Sequence, residues 1–254
     1  MDAINYNYIG NGAHWEVYQI IYPDGNVPKS TVHKIPFSKH SIDANLKIYR
    51  AISEATLPTL TKFNRVDKDG KSYIVAEDLN PPGCDGYFVS PNTVRNARCE
   101  AMELIDIMYD PAKINGKNQH LAKLLGTDIS EEQMEGLRRN RFLHGAEKYL
   151  YENKVKKIVG LPDFFDMSSN EMRKAAESGI ELFADAFFFC VNTSDHTITF
   201  RIADFDCIIL DQDAGLCREI LYEANLNWFK ESLAEYLEYF IDENERLTYL
   251  EMIR

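Results

Sequence analysis

No apolar run in this sequence approaches the roughly 18–20 residues a helix needs to cross a bilayer, so no membrane span is expected. The opening segment, MDAINYNYIG, has neither a basic stretch nor an apolar core, and no secretory leader is expected from it. Cysteine is scarce and unpatterned. Its five occurrences, Cys84, Cys99, Cys190, Cys207 and Cys217, form no CxxC pair and are odd in number. That argues against a zinc site or a disulfide framework and for reduced thiols in a cytoplasmic setting. Positive charge is in short supply: 28 Lys and Arg against 40 Asp and Glu leave a net charge of -12. Such a chain repels nucleic-acid backbones and anionic membranes. Its densest basic stretches, Leu137–Arg141 and Lys154–Lys157, are spaced as ordinary solvated helix faces. The histidines, His14, His33, His40, His120, His144 and His196, show no metal-ligand spacing, and neither an HExxH nor an EF-hand pattern occurs.

What is present is ordinary globular composition, 45% hydrophobic and 27% charged, in a chain long enough for one domain or two small lobes. Up to about residue 79 the pattern is strand-like with one helix. Short β runs are expected at Tyr6–Ile9, Glu16–Tyr22 and Ser30–Pro36, with a turn at Pro23-Asp24-Gly25-Asn26. Ser41–Glu54 carries Ile42, Leu46, Tyr49 and Ile52 on one helical face, with Ser41 placed as its cap. Two more strands, Leu60–Val66 and Ser72–Ala76, flank the hairpin turn Asp67-Lys68-Asp69-Gly70. Composition shifts at Asn80-Pro81-Pro82-Gly83, which predicts lobes at 1–79 and 80–254. Beyond it, helices are expected at about 92–108, 117–125, 130–153, 169–184 and 217–250. A β hairpin interrupts them, Ala186–Val191 and Ile198–Ala203. The stripe Trp228, Phe229, Leu233, Tyr236, Leu237 and Phe240 reads as core.

Four segments carry the chemistry. Gly10-Asn11-Gly12-Ala13-His14-Trp15-Glu16-Val17 is a Gly-rich turn between strands, where missing Cβ atoms would let a phosphate approach the backbone. Val32-His33-Lys34-Ile35 puts a lysine on a central strand, 24 residues after Gly10. Tyr73-Ile74-Val75-Ala76-Glu77-Asp78-Leu79 is an apolar strand running into an acidic segment. Phe200-Arg201-Ile202-Ala203-Asp204-Phe205-Asp206 is an apolar strand ending in two acids.

In this order the segments resemble the protein-kinase-like superfamily: its G-x-G-x-x-G-x-V loop, its V-A-I-K strand, its hinge and its DFG segment in a D-F-D form. The resemblance implies a bilobal α+β fold, an antiparallel sheet lobe with one helix followed by a mostly helical lobe. It also implies ATP and Mg²⁺ as cofactors. Gly10 and Gly12 would approach the phosphates, and Val17 and Ala76 would line the adenine pocket. Glu77 to Leu79 would offer hinge backbone. Lys34 would contact phosphate and Asp204 would hold metal. The pattern departs from the family at three places. Trp15 replaces the third glycine. The helix offers Asp43 as the nearest acid for Lys34, with Glu54 at its far end. No H-x-D-x-x-x-x-N loop precedes the hairpin, where Glu181-Leu182-Phe183-Ala184-Asp185-Ala186-Phe187 leaves Asp185 as catalytic base or second metal ligand.

The long stretch before Asp204 and the absence of an A-P-E segment point to a small-molecule or atypical protein acceptor. Inositol-phosphate kinases share that layout, but Glu103–Met108 lacks the Pro, Lys and Gly of their catalytic segment. Leu143-His144-Gly145-Ala146-Glu147 echoes H-G-D only faintly and reads as helix. Two functions from different classes follow: an ATP-dependent phosphotransferase, and a pseudokinase that binds nucleotide or a partner without chemistry. An unrelated α+β protein is the third.

Overall fold

The computed structural model describes residues 5–11, 14–23, 29–37, 39–91, 112, 157–210, 217–241 and 243–253. Gly12 and the helices expected at 92–108, 117–125 and 130–153 lie outside them. The first lobe is a five-stranded antiparallel sheet, order β1-β2-β3-β5-β4. Its strands are β1 (Asn5–Asn11), β2 (Trp15–Tyr22), β3 (Lys29–Pro36), β4 (Phe63–Lys68) and β5 (Lys71–Glu77), with helix α1 (Lys39–Glu54) between β3 and β4. The β4–β5 hairpin closes where the sequence predicts it. Asp69 and Gly70 both take positive φ (52° and 74°), the pair of left-handed residues that a two-residue turn needs to match strand twist. Helix α1 starts at Lys39, two residues before the start expected at Ser41. Its apolar face behaves as the spacing requires: Ile42 and Ile52 are fully buried and Tyr49 packs on Phe63.

The second lobe is mostly helical among the described residues. It comprises α2 (Leu161–Glu177), β6 (Ile180–Leu182), β7 (Phe187–Val191), β8 (Ile198–Ile202), β9 (Ile208–Leu210), α3 (Arg218–Phe240) and α4 (Glu243–Ile253). Here the expected boundaries shift. A helix at 169–184 is found instead at 161–177. Gly160 enters at φ 72° and Pro162 sits in the first turn, where a missing N–H costs nothing. The helix ends at Glu177, Gly179 just beyond its cap is also at positive φ, and Ile180–Leu182 becomes a strand. The single block expected at 217–250 is two helices, broken at Ile241, whose backbone is extended.

Both halves of the hairpin region pair antiparallel, β7 with β8 and β6 with β9. Phe187, Phe189 and Phe200 from the β7–β8 hairpin are fully buried against Phe229 of α3, at ring distances of 5.1 to 5.6 Å. Of the α3 stripe, Phe229, Leu233, Tyr236 and Leu237 are core with no exposed surface and Trp228 is partly buried against it, while the Phe240 side chain lies outside the described ones. Asn225, equally buried, accepts from the Leu182 N–H at 2.8 Å and donates to the Ile180 carbonyl at 2.9 Å. One amide thus satisfies two backbone groups of β6 that its pairing with β9 leaves over.

The lobes meet on this hairpin. Residues 59–61 lie along β8, with Thr61 N–H on the Ile202 carbonyl and Ile202 N–H on the Thr59 carbonyl, each at 3.0 Å. Val89 brackets Phe189 on the β7 side with two 2.9 Å bonds. Glu171 of α2, nearly fully buried, accepts from both the N–H and the hydroxyl of Thr59.

Candidate functional site

Register places the candidate cleft residues. Lys34 of β3 stands opposite Val17 of β2 on one side and Ile74 of β5 on the other, and Val32 stands opposite Ala76. Directly opposed residues share a face, so Val17, Val32, Lys34, Ile74 and Ala76 line one side of the sheet. Trp15 and Gln19, two residues either side of Val17, belong to it as well. Gly10 lies in β1 opposite Val17, beside a register shift at Tyr8–Gly10. Ala76 is buried; Glu77 is exposed at the end of β5, and its N–H is committed to the Lys62 carbonyl at 2.9 Å. Leu79 makes no backbone hydrogen bond among the described residues.

Between Glu77 and Leu79, the Asp78 carboxylate gathers three donors: Gln19 Nε2 at 2.7 Å, the Ser30 hydroxyl at 2.5 Å and the Asn80 N–H at 2.9 Å. Asn80 then brackets Phe88 with its side-chain amide, donating to the carbonyl at 2.9 Å and accepting from the N–H at 2.6 Å. Neither role was legible in the sequence. The signal available was only an Asx residue beside prolines, which marks a turn.

The acids come from two short 3₁₀ turns that face each other. Ala184–Ala186 joins β6 to β7 and carries Asp185; Phe205–Cys207 joins β8 to β9 and follows Asp204. Two backbone bonds tie the turns together, Ala203 N–H to the Ala186 carbonyl and Phe183 N–H to the Cys207 carbonyl, both at 3.0 Å. Asp204 caps its own turn by accepting from the Asp206 N–H at 3.3 Å. The Lys34 ammonium reaches the same place from the sheet and donates to the Ala203 carbonyl at 3.4 Å. Cys207 lies on the second of these turns. Burial pushes its thiol up to about 12; the charges of Asp204, Asp185 and Asp206 push the same way, and Lys34 opposes them.

The expected acid on α1 does not meet Lys34. Asp43 lies on the outer face of the helix and pairs with Arg65 of β4 at 2.8 Å, an exposed contact. It belongs to the lining of a surface cavity of about 440 Å³, with Leu46, Lys47, Arg50 and Arg65. The inner face offers Asn45 instead, buried, donating to Asp206 Oδ1 at 2.7 Å. Trp15, also buried, donates its Nε1–H to Asp206 Oδ2 at 2.8 Å. Between these, the Phe205 ring is buried against Phe63 (4.4 Å) and Tyr49 (6.1 Å).

No group of three His, Cys, Asp or Glu among the described residues is placed to hold a metal ion. Two carboxylates near a phosphate suit Mg²⁺ better than such a cage, because that ion keeps water and phosphate oxygens as ligands.

No protein-family model matches the sequence, and no curated protein does. Among solved structures, one described as the kinase domain of PF14_0431 aligns over 92% of this chain at 10% identity, with a TM-score of 0.43. The likeness is to a kinase fold, and it is weak. This chain spans 65% of the length of that kinase domain. At such identity and overlap, the functional reading rests on the residues themselves. No helix among the described residues is long and apolar enough to cross a membrane.

Proposed function

We propose that this protein is an ATP- and Mg²⁺-dependent phosphotransferase acting on a small-molecule or atypical protein acceptor. What supports this reading is that Lys34 reaches the Ala203 carbonyl, beside Asp204, on one of two hydrogen-bonded turns of which the other carries Asp185. An ammonium beside two carboxylates is what phosphoryl transfer requires, since catalysis there is mostly positioning and charge neutralisation. The nucleotide base would lie against Val17 and Ala76, with the Leu79 backbone as its hydrogen-bonding edge. Gly10 and Gly12 would allow the β1–β2 turn to approach the phosphates, and Lys34 would leave the Ala203 carbonyl for phosphate oxygens. Mg²⁺, held by Asp204 and Asp185, would neutralise charge on the phosphates. Where Asp185 acts as base, it takes the acceptor's hydroxyl proton. The acceptor oxygen then bonds to the γ-phosphorus as the bond to the bridging oxygen breaks and ADP leaves.

A second reading has an observation of its own. Trp15 stands where a glycine would leave room and is buried against Asp206, and Lys34 faces a carbonyl rather than an acid on α1. Both features suit a pseudokinase that binds nucleotide or a partner without transferring phosphate.

Calorimetry of ATP binding, with and without Mg²⁺, separates the two. The phosphotransferase reading expects binding to be lost in Lys34→Ala, Mg²⁺ enhancement to be lost in Asp204→Ala, and product formation to be lost in Asp185→Asn. Metal-independent binding that Asp204→Ala leaves unchanged favours the pseudokinase. No binding by the parent rejects both nucleotide readings.

A further inference from the structure

We propose that Asp206 is a positioning residue, which fastens α1 and the start of β2 to the turn that presents Asp204 and so does the work of an acid on α1. The inference rests on the nucleotide reading above and assigns a role that the reading leaves open.

Asp206 is bonded in two directions. Its main-chain N–H holds one oxygen of Asp204, and its carboxylate spends one oxygen on each of two donors from the sheet lobe, Asn45 and Trp15. An ionised carboxylate only accepts, and both partners offer N–H groups, so every bond in the set is matched and charge-assisted. The two donors come from elements far apart in sequence, at separations of 161 and 191 residues. Both are buried, which makes leaving either N–H unpaired costly. The next residue back, Phe205, puts its ring between α1 and β4. Lys34 bonds two residues further back, at the Ala203 carbonyl. Three of the four residues 203 to 206 therefore meet the sheet lobe, and Asp204 sits among them, held by the Asp206 N–H.

The arrangement explains two oddities of the sequence together. A lysine that lacks an acid on α1 needs some other device to set the helix, and Asn45 with Asp206 is that device. A tryptophan in a Gly-rich loop is unexpected unless its N–H has a fixed acceptor, and Asp206 provides one. Coupling runs from lobe closure, through the Asp206 carboxylate, to the Asp206 N–H that orients Asp204 in the cleft.

The test is an exchange of partners, read as Kd for ATP with Mg²⁺ and with EDTA. Asn45→Asp sets two carboxylates against each other. It is expected to weaken Mg²⁺–ATP about tenfold and metal-free ATP less than about threefold, as for loss of one charge-assisted bond. Adding Asp206→Asn restores a donor facing an acceptor and leaves an oxygen for Trp15, so Mg²⁺–ATP affinity should return to within about threefold of the parent. Loss of both affinities alike, no loss in Asn45→Asp, or no recovery in the double variant overturns the role. No recovery would also mark Asp206 as a metal ligand in its own right. Should Asn45→Asp fail to fold, Trp15→Phe, which keeps a ring and deletes the N–H, reads the same link: a loss confined to Mg²⁺–ATP supports it and an equal loss in both conditions overturns it. A parent that binds no ATP rejects the nucleotide reading, whereas a parent that binds beside an unaffected Asn45→Asp rejects only the role of Asp206.

Discussion

The sheet lobe and the β7–β8 hairpin are both antiparallel β structure, yet they are built to opposite ends. Most residues of β3 are only half-buried on either face, and His33 stacks on Tyr73 at 5.3 Å where water still reaches. In the hairpin, Phe187, Phe189 and Phe200 are fully buried against α2 and α3, and residues 59–61 and Val89 lay backbone along its edges. Lys34 thus rides on the more open part, and Asp185 and Asp204 stand at the ends of the densely packed part. Close-packed aromatic cores do not deform gradually, so the hairpin is expected to hold the spacing of the two turns that flank it.

The largest expected effect comes from striking the rigid side. Phe200→Ala opens a cavity among Phe164, Phe187, Phe189 and Phe229 and should cost about 3–5 kcal/mol in urea unfolding. A loss under about 1 kcal/mol would mean the hairpin is not the anchor. Asn225→Ala comes next. It strands the Leu182 N–H and the Ile180 carbonyl on the strand leading to Asp185, for about 2–3 kcal/mol in the same measurement. An effect no larger than that of an exposed asparagine would remove β6 from the platform.

Glu171 sharpens the comparison through pH. Burial raises its carboxyl above the ordinary 4.5, and the bonds from Thr59 only partly offset this. The folded state then holds the proton more tightly than the unfolded one. Stability should fall as pH rises from 4.5 through the raised value and level off above it. The thermal midpoint of Glu171→Gln, followed from pH 4.5 to 8, should show a shallower decline; parallel curves would place the pH dependence elsewhere. The smallest effect belongs to the sheet. His33→Ala removes one half-exposed stacked ring and should shift unfolding by less than about 1 kcal/mol. A larger loss would mean that the outer face of the sheet is covered in the working protein.

Much of this arrangement was legible locally. Alternation gave the order of strands and helix in the first lobe. Asp69-Gly70 gave its hairpin, and the aromatic stripe of α3 gave the core. Boundaries failed where local signals are ambiguous. Pro162 near a helix start looks like a break, and Ile180-Glu181-Leu182 is too short for periodicity to distinguish strand from helix. Asp43 was the nearest acid in the sequence, yet two residues along a helix turn the side chain through about 200°, and that puts Asn45 inward and Asp43 toward Arg65.

The residue types that chemistry would use, Lys34, Asp185 and Asp204, are set by the sequence alone, because a fixed ammonium and paired carboxylates are recognisable by kind and order. Which of them meet, and through what, was decided by the tertiary structure. Asp206 binds partners 161 and 191 residues away, and Asn225 completes a strand from a distant helix. Contacts of that range depend on how elements pack, and packing follows from burial of whole faces rather than from any neighbouring residues in the chain.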